Sequence, residues 1–227
     1  AVDSGVPAEK VLISYVGIEP PSLAPDRLET VKAAFEEEHG IRFGEDRILL
    51  NLCRQVERKG LAVFLEKGMP LVSEDIKLLI GGRGPELDRL HRLRESLGLQ
   101  DRVVLLGWLE DDVAAMLRNE ADLFVMPNIR IEGDVEGFGM AQLECMHAGM
   151  PAVVFAVDAL VESVREGGYL IQEADYQAFA DAIHGYFSLS PDGRQAAREK
   201  ASAYVRREYS WRKTTEEYLR VLEGASS

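Results

Sequence analysis

The chain has 227 residues, 46% of them hydrophobic, which is enough for the core of one large domain. Its formal net charge of −13 repels phosphate backbones and argues against nucleic-acid binding, so any anionic ligand needs a local basic pocket. Two cysteines without CxxC spacing, and no HExxH, argue against a zinc site or disulfide framework and fit a reducing, cytoplasmic setting; no apolar run is long enough to span a bilayer.

In chain order, KVLISYVG (10–17) reads as a short strand, followed by a linker-like stretch, GIEPPSLAPD (17–26), with three prolines. APDRLETVKAAFEEEHG (24–40) predicts a helix with Asp26 in its first turn and Gly40 as its stop. RILLNLC (47–53), IKLLIGG (76–82), RVVLLG (102–107), DLFVMP (122–127), PAVVFAV (151–157) and the shorter GYLI (168–171) read as strands. Between them lie helical patterns over 86–98, with Leu87, Leu90, Leu93 and Leu97 on one side, over 110–120, and from Gly139 to Ala148. Helical patterns over 174–188, from AREK (197–200) to VRREY (205–209), and over 210–224 close the chain.

Strands alternating with helices of this length predict right-handed βαβ units and an α/β fold with a doubly wound, mostly parallel sheet. The nearly continuous apolar runs suit strands covered on both faces. In such a sheet the ligand crevice lies beyond the carboxyl ends of the strands.

The loops expected at that edge carry the residues of interest. RQVERKG (54–60) supplies Arg54, Arg58 and Lys59 in an otherwise acidic chain. GGRGPE (81–86) and Gly137-Phe138-Gly139 let backbone N–H groups approach phosphate oxygens, and the helix after Gly139 offers free donors and a partial positive charge. Glu136 lies in the loop, and Glu144 eight residues on. A carboxylate accepts hydrogen bonds from vicinal hydroxyls, so one can hold a sugar and the other a ribose. Each feature alone has a plainer reading: solvated basic loop, simple turn, surface carboxylates, core phenylalanine. Their consistent order after successive strands favours the ligand-site reading.

These residues resemble a known family. Glu136-Gly-Phe-Gly through Glu144, followed by Ala148-Gly-Met-Pro151, resembles the E-x7-E signature of retaining GT-B glycosyltransferases, family 4 or group 1. Leu52 to Gly60, Gly82-Arg-Gly84-Pro85, Val103 to Trp108 and Asp122 to Pro127 resemble that family's other segments, and Ala8 to Pro20 its interdomain segment. The resemblance implies the C-terminal, donor-binding domain alone, with the acceptor bound by an N-terminal domain outside this chain, through which family members contact membranes. On that reading residues 1–25 are the interdomain segment and first strand, 26–209 the nucleotide-sugar-binding domain, and 210–227 a helix packing toward the absent half.

The resemblance further implies a metal-independent hexosyl transfer from a UDP, GDP or ADP sugar, with no cofactor. Arg54 and Lys59 would bind the diphosphate and Glu136 would contact the donor sugar. The backbone of Gly137, Phe138 and Gly139 would meet sugar and phosphate, Glu144 the ribose hydroxyls. Gly82, Gly84, Pro85 and Trp108 would flank the base. Lys59→Ala and Glu144→Ala are then expected to weaken nucleotide binding by roughly 1–3 kcal/mol with little change in melting temperature. The sequence departs from the family at Cys53, Gln55, Asn128 and Ala156-Val157-Asp158-Ala159. A nucleotide-sugar 2-epimerase and a degenerate, non-catalytic nucleotide-sugar-binding module are the alternatives. A receiver module is disfavoured, because its acidic pair is absent from the early strand ends.

Overall fold

The computed structural model describes residues 5, 7, 11 and 13–224. Among them six strands form one parallel sheet: β1 (Arg47–Leu52), β2 (Ile76–Gly81), β3 (Val103–Gly107), β4 (Leu123–Met126), β5 (Ala152–Phe155) and β6 (Gly168–Ile171). Their spatial order is β3-β2-β1-β4-β5-β6. The order reverses between β1 and β4, so the loops leaving those strands diverge and open a crevice at the carboxyl edge.

The sheet is buried on both faces because its strands alternate two apolar surfaces. Ile48, Leu50, Phe124, Met126 and Val154 belong to one core cluster; Leu49, Leu78, Ile80, Val125 and Val153 belong to the other. The first face is covered by α1 (Pro25–His39), α4 (Asp111–Glu120), α5 (Met140–His147), α6 (Leu160–Val164) and α8 (Pro191–Glu208). The second is covered by α3 (Leu87–Ser96), α7 (Tyr176–Phe187) and the run begun by α2 (Leu61–Val63).

Local signals place the helix ends. Pro25 opens α1, and Gly40 ends it at φ +62°, where a side chain is disfavoured. Asp175 accepts from the Ala178 N–H at 2.9 Å to start α7, and Ser190 accepts from Gly193 at 3.1 Å to start α8. A final helix, α9, spans Trp211–Gly224.

One expectation needs correction, and one element was not foreseen. The strand proposed over 10–17 is absent from 13–17, which have no regular structure; Lys10 and Leu12 lie outside the described residues, as does Ala8. This segment's polar groups pair with the α8–α9 junction instead of a strand. Ile18 N–H donates to the Tyr209 carbonyl at 2.7 Å, and the Thr214 hydroxyl donates to the Tyr15 carbonyl at 2.6 Å. The helical run after Gly60 has no counterpart in the sequence reading. It continues from α2 through a π turn (Phe64–Gly68) into a 3-10 turn (Met69–Leu71), so neither a 3.6-residue period nor an uninterrupted pattern marks it.

Candidate functional site

The loops after β1 and β4 meet at the switch point. Gly60 adopts φ +67°, and a Cβ there would lie 1.9 Å from the Pro127 carbonyl oxygen, so only glycine permits this approach. The Ile129 N–H donates to the Arg58 carbonyl at 2.9 Å, stitching the loops together. This brings Lys59 and Glu136 into contact across 77 residues of sequence: Nζ lies 2.5 Å from Oε2. Asn128 Nδ2 donates to the same oxygen at 2.8 Å, and Arg58 Nε stands 3.8 Å away. Lys59 and Glu136 are each only 6% exposed. Burial pushes the Glu136 carboxyl up, but the hydrogen bond and charge of Lys59, the Asn128 amide and Arg58 outweigh it and leave it below the ordinary carboxylate value.

The loop after β2 packs beneath that after β1. A Cβ on Gly82 would lie 1.9 Å from the Cys53 carbonyl oxygen, and one on Gly84 2.1 Å from that of Gln55. Both glycines thus serve close backbone packing; Gln55 N–H donates to the Arg83 carbonyl and Glu86 N–H to that of Gln55. Gly82 N–H donates to the Gly107 carbonyl at 2.6 Å, which fixes Trp108 at the end of β3.

Between these loops and α5 opens a cleft of about 500 Å³. Its lining includes Cys53, Arg54, Gly82, Arg83, Trp108, Arg118 and Ala141. Trp108 is 63% exposed, a large apolar ring presented to solvent beside the cleft. The Lys59–Glu136 pair is not part of this lining; it stands where the β1 and β4 loops join. Burial pushes the Cys53 thiol up to about 12.

Of the predicted residues, Arg54, Gly82 and Trp108 line the cleft, Gly84 and Pro85 turn the chain beneath it, and Lys59 and Glu136 form the buried pair. Gly137 is exposed, and a Cβ there would meet nothing within 4 Å. Gly139 adopts φ +73° as the residue before α5, whose first turn has no side-chain cap. Glu144 therefore lies just over one turn into α5. Phe138 stacks on Tyr15, with centroids 5.3 Å apart and planes 16° from parallel.

Two residues escape the sequence reading. Arg118, 8% exposed, lines the cleft and pairs with Glu144 at 3.3 Å. Its signal is an arginine four residues after Ala114, on a helix face that otherwise carries small apolar residues. Tyr15 reaches Phe138 and donates to Glu162 Oε2 at 2.7 Å, a contact between distant segments that no local pattern marks.

The expectation that Lys59→Ala leaves the melting temperature nearly unchanged does not fit this geometry. Its ammonium is buried and bound to Glu136, so removing it disturbs the fold as well as any ligand. Arg54 and Arg83 are exposed and form no ion pair among the described residues.

The family profile described as glycosyl transferases group 1 matches residues 34–206. This chain belongs to that family. A glycosyltransferase of Methanocaldococcus jannaschii, itself uncharacterised, is 30% identical over 96% of the chain and 55% of its own length. A phosphatidyl-myo-inositol mannosyltransferase of Mycobacterium leprae is 34% identical over 75% of the chain and 44% of its own length. The group 1 chain thus spans about half the length of the curated relatives it matches. Among solved structures, Anabaena HepE in complex with UDP and glucose superposes with a TM-score of 0.77 at 20% identity, covering 99% of this chain and 59% of that one. A Rickettsia africae glycosyltransferase gives 0.79 at 21% identity, covering 96% and 57%. These likenesses show the fold, the Rossmann-like α/β domain of the GT-B type. No helix of the described residues is long and apolar enough to cross a membrane.

Proposed function

We propose that this chain is the C-terminal, nucleotide-sugar-binding domain of a retaining, metal-independent GT-B glycosyltransferase that moves a hexose from a nucleoside diphosphate to an acceptor held by another domain. The observation that carries the reading is the arrangement at the carboxyl edge. A cleft with an exposed tryptophan and two arginines that form no ion pair among the described residues adjoins a buried lysine–glutamate pair and the uncapped start of α5.

The nucleoside lies in the cleft on this reading, its base beside Trp108 and the Gly82–Pro85 turn. Its ribose hydroxyls face Glu144, whose carboxylate Arg118 orients. Arg54 and Arg83 supply the cations for the diphosphate, joined by the free N–H groups before and within the first turn of α5. When the bond from the anomeric carbon to the diphosphate breaks, negative charge grows on the departing oxygen, where fixed donors stabilise it most. Glu136, held ionised by Lys59 and Asn128, contacts the sugar. The complexed Anabaena structure, which holds UDP and glucose in a chain of the same fold, supports this class of ligand.

The α9 surface fits a two-domain enzyme. Trp211, Tyr218 and Leu219 are exposed by 52%, 60% and 50%, and with Tyr15 and Val16 they line an apolar groove. We assign it to the acceptor-binding domain.

The test is calorimetric titration of the chain with UDP, GDP and ADP and their sugar conjugates, with and without magnesium. Saturable, metal-independent binding of one nucleotide is expected, with no transfer by this chain alone. The reading fails if neither this chain nor a chain of its relatives' full length binds any of them. Robust transfer by this chain alone refutes the division of labour.

A further inference from the structure

Two positions at which the chain departs from its family's pattern converge on one residue. Asp158 Oδ2 accepts a hydrogen bond from the Glu136 backbone N–H at 3.0 Å. Asn128 Nδ2 donates to the Glu136 carboxylate at 2.8 Å. We infer that Asp158 is a positioning residue for Glu136, anchoring its backbone while Asn128 and Lys59 anchor its side chain. The inference rests on the reading above only in that Glu136 is the group that meets the donor sugar.

The local backbone supports this role. Asp158 adopts φ +48°, a left-handed conformation that glycine takes freely and aspartate takes at a cost. That conformation persists because the turn around it is tightly set. Val157 is fully buried, the Leu160 N–H donates to the Val157 carbonyl at 3.0 Å, and the Ser163 N–H donates to that of Ala159 at 3.1 Å. Glycine would suit the turn better, yet would have no carboxylate to reach Glu136. Strain held at a site that a simpler residue would relieve points to a positional role for the side chain.

The two loops are joined a second time. Arg130 pairs with Glu173 beyond the end of β6, and its Nη2 donates to the Ala156 carbonyl at 3.4 Å. The loop after β4 is therefore tied to the end of β5 at both Arg130 and Glu136. The hydrogen bonds to the Glu136 carboxylate fall on Oε2. With one oxygen and the backbone fixed, the direction of the other oxygen is fixed too. The departures at 128 and 158 thus rebuild a held carboxylate; they are not marks of a decayed site.

The experiment measures amide hydrogen exchange at Glu136 in the isotopically labelled chain, for the wild type, Asp158→Gly, Asp158→Asn and Asp158→Ala. In Asp158→Gly the melting temperature is expected to stay level or rise, while Glu136 exchanges at least tenfold faster. Asp158→Asn keeps a side-chain carbonyl acceptor and restores most of the protection. Asp158→Ala gives the same loss as glycine and serves as the readout if glycine loosens the turn. Titration with UDP and UDP-glucose, and with GDP and GDP-mannose, adds a functional readout: Asp158→Gly is expected to lose most of the affinity gained from the sugar, with nucleotide affinity unchanged. Unchanged Glu136 exchange in the folded glycine and alanine variants overturns the inference. So does an unchanged sugar increment. The sugar increment counts only where the wild type binds the nucleotide; where it binds none, faster exchange in the glycine and alanine variants still supports the anchor and tells against the donor-site reading instead.

Discussion

Replacing Lys59 with methionine keeps the aliphatic stem and removes the ammonium from a pair whose side chains are 8% and 7% exposed. Glu136 is left buried, with the Asn128 amide at 2.8 Å and Arg58 at 3.8 Å as its remaining partners. Removing one member of a buried pair costs about 3–5 kcal/mol when the other charge is left bare. With two partners retained, we expect about 2–4 kcal/mol. For a domain of this size that lowers the melting temperature by roughly 5–12 °C. Glu136→Gln added to Lys59→Met removes the stranded charge and should recover at least half of the loss. The pH dependence follows in sign. In the wild type the folded Glu136 value lies below its unfolded one, so its stabilisation is present above the unfolded value and is lost as pH falls through the folded one. In Lys59→Met we expect burial, the largest single influence, to outweigh Asn128 and Arg58 and raise the folded value above the unfolded one, so the deficit is smallest at low pH and grows as pH rises through that raised value. Thermal denaturation between pH 4 and 8 measures both effects. A shift under about 2 °C at pH 8, or a double variant no more stable than Lys59→Met, would refute the account of a charge stranded in the interior.

Three further outcomes are expected. Gly60→Ala forces a Cβ to within 1.9 Å of the Pro127 carbonyl at φ +67° and should cost over ~3 kcal/mol in urea denaturation, whereas Gly137→Ala, which meets nothing within 4 Å, should cost under ~1 kcal/mol. Arg118→Met frees the Glu144 carboxylate and should weaken nucleotide binding about tenfold, ~1.4 kcal/mol, with a smaller effect on a 2′,3′-dideoxynucleotide; equal losses for both ligands would place Arg118 elsewhere in recognition. Cys53, pushed up to about 12 by burial, should react with iodoacetamide at pH 8 through a thiolate fraction near ~10⁻⁴, so fast alkylation of the folded chain would contradict its assigned environment.

The parallel sheet was legible because burial on both faces requires continuous apolar runs, and β1, β2 and β4 carry them. The helix ends were legible where chemistry marks them, as at Pro25 and Gly40. The segment over 13–17 misled because an apolar run of that length satisfies a strand and a strap equally; the Thr214 hydroxyl that caps its Tyr15 carbonyl lies 199 residues away in sequence. At the site, residue types and order pointed to loops that do gather at the carboxyl edge, but not to which charges neutralise one another. Glu136 and Lys59 read as two separate ligands; as neighbours they are each other's first partner. Arg118 was hidden because an arginine on a helix is ordinarily a surface residue, and only the cleft beside α5 makes its burial useful.

On the proposed reading, the pairing of charges also explains how so acidic a chain would hold an anion. The cations at the carboxyl edge fall into two sets. Arg58, Lys59 and Arg118 face Asp134, Glu136 and Glu144, while Arg54 and Arg83 form no ion pair among the described residues. At physiological salt the screening length is about 8 Å, so carboxylates elsewhere on the surface contribute little inside the cleft and the two unpaired arginines set the local field. On the proposed reading a diphosphate meets these first and leaves the buried pair intact. Were a phosphate oxygen to draw Lys59 away, the largest influence holding the Glu136 carboxyl down would be lost, and burial would push it back toward the protonated form. Lys59 and Glu136 are therefore one electrostatic unit, and the state of the carboxylate proposed to face the sugar depends on where the lysine is held.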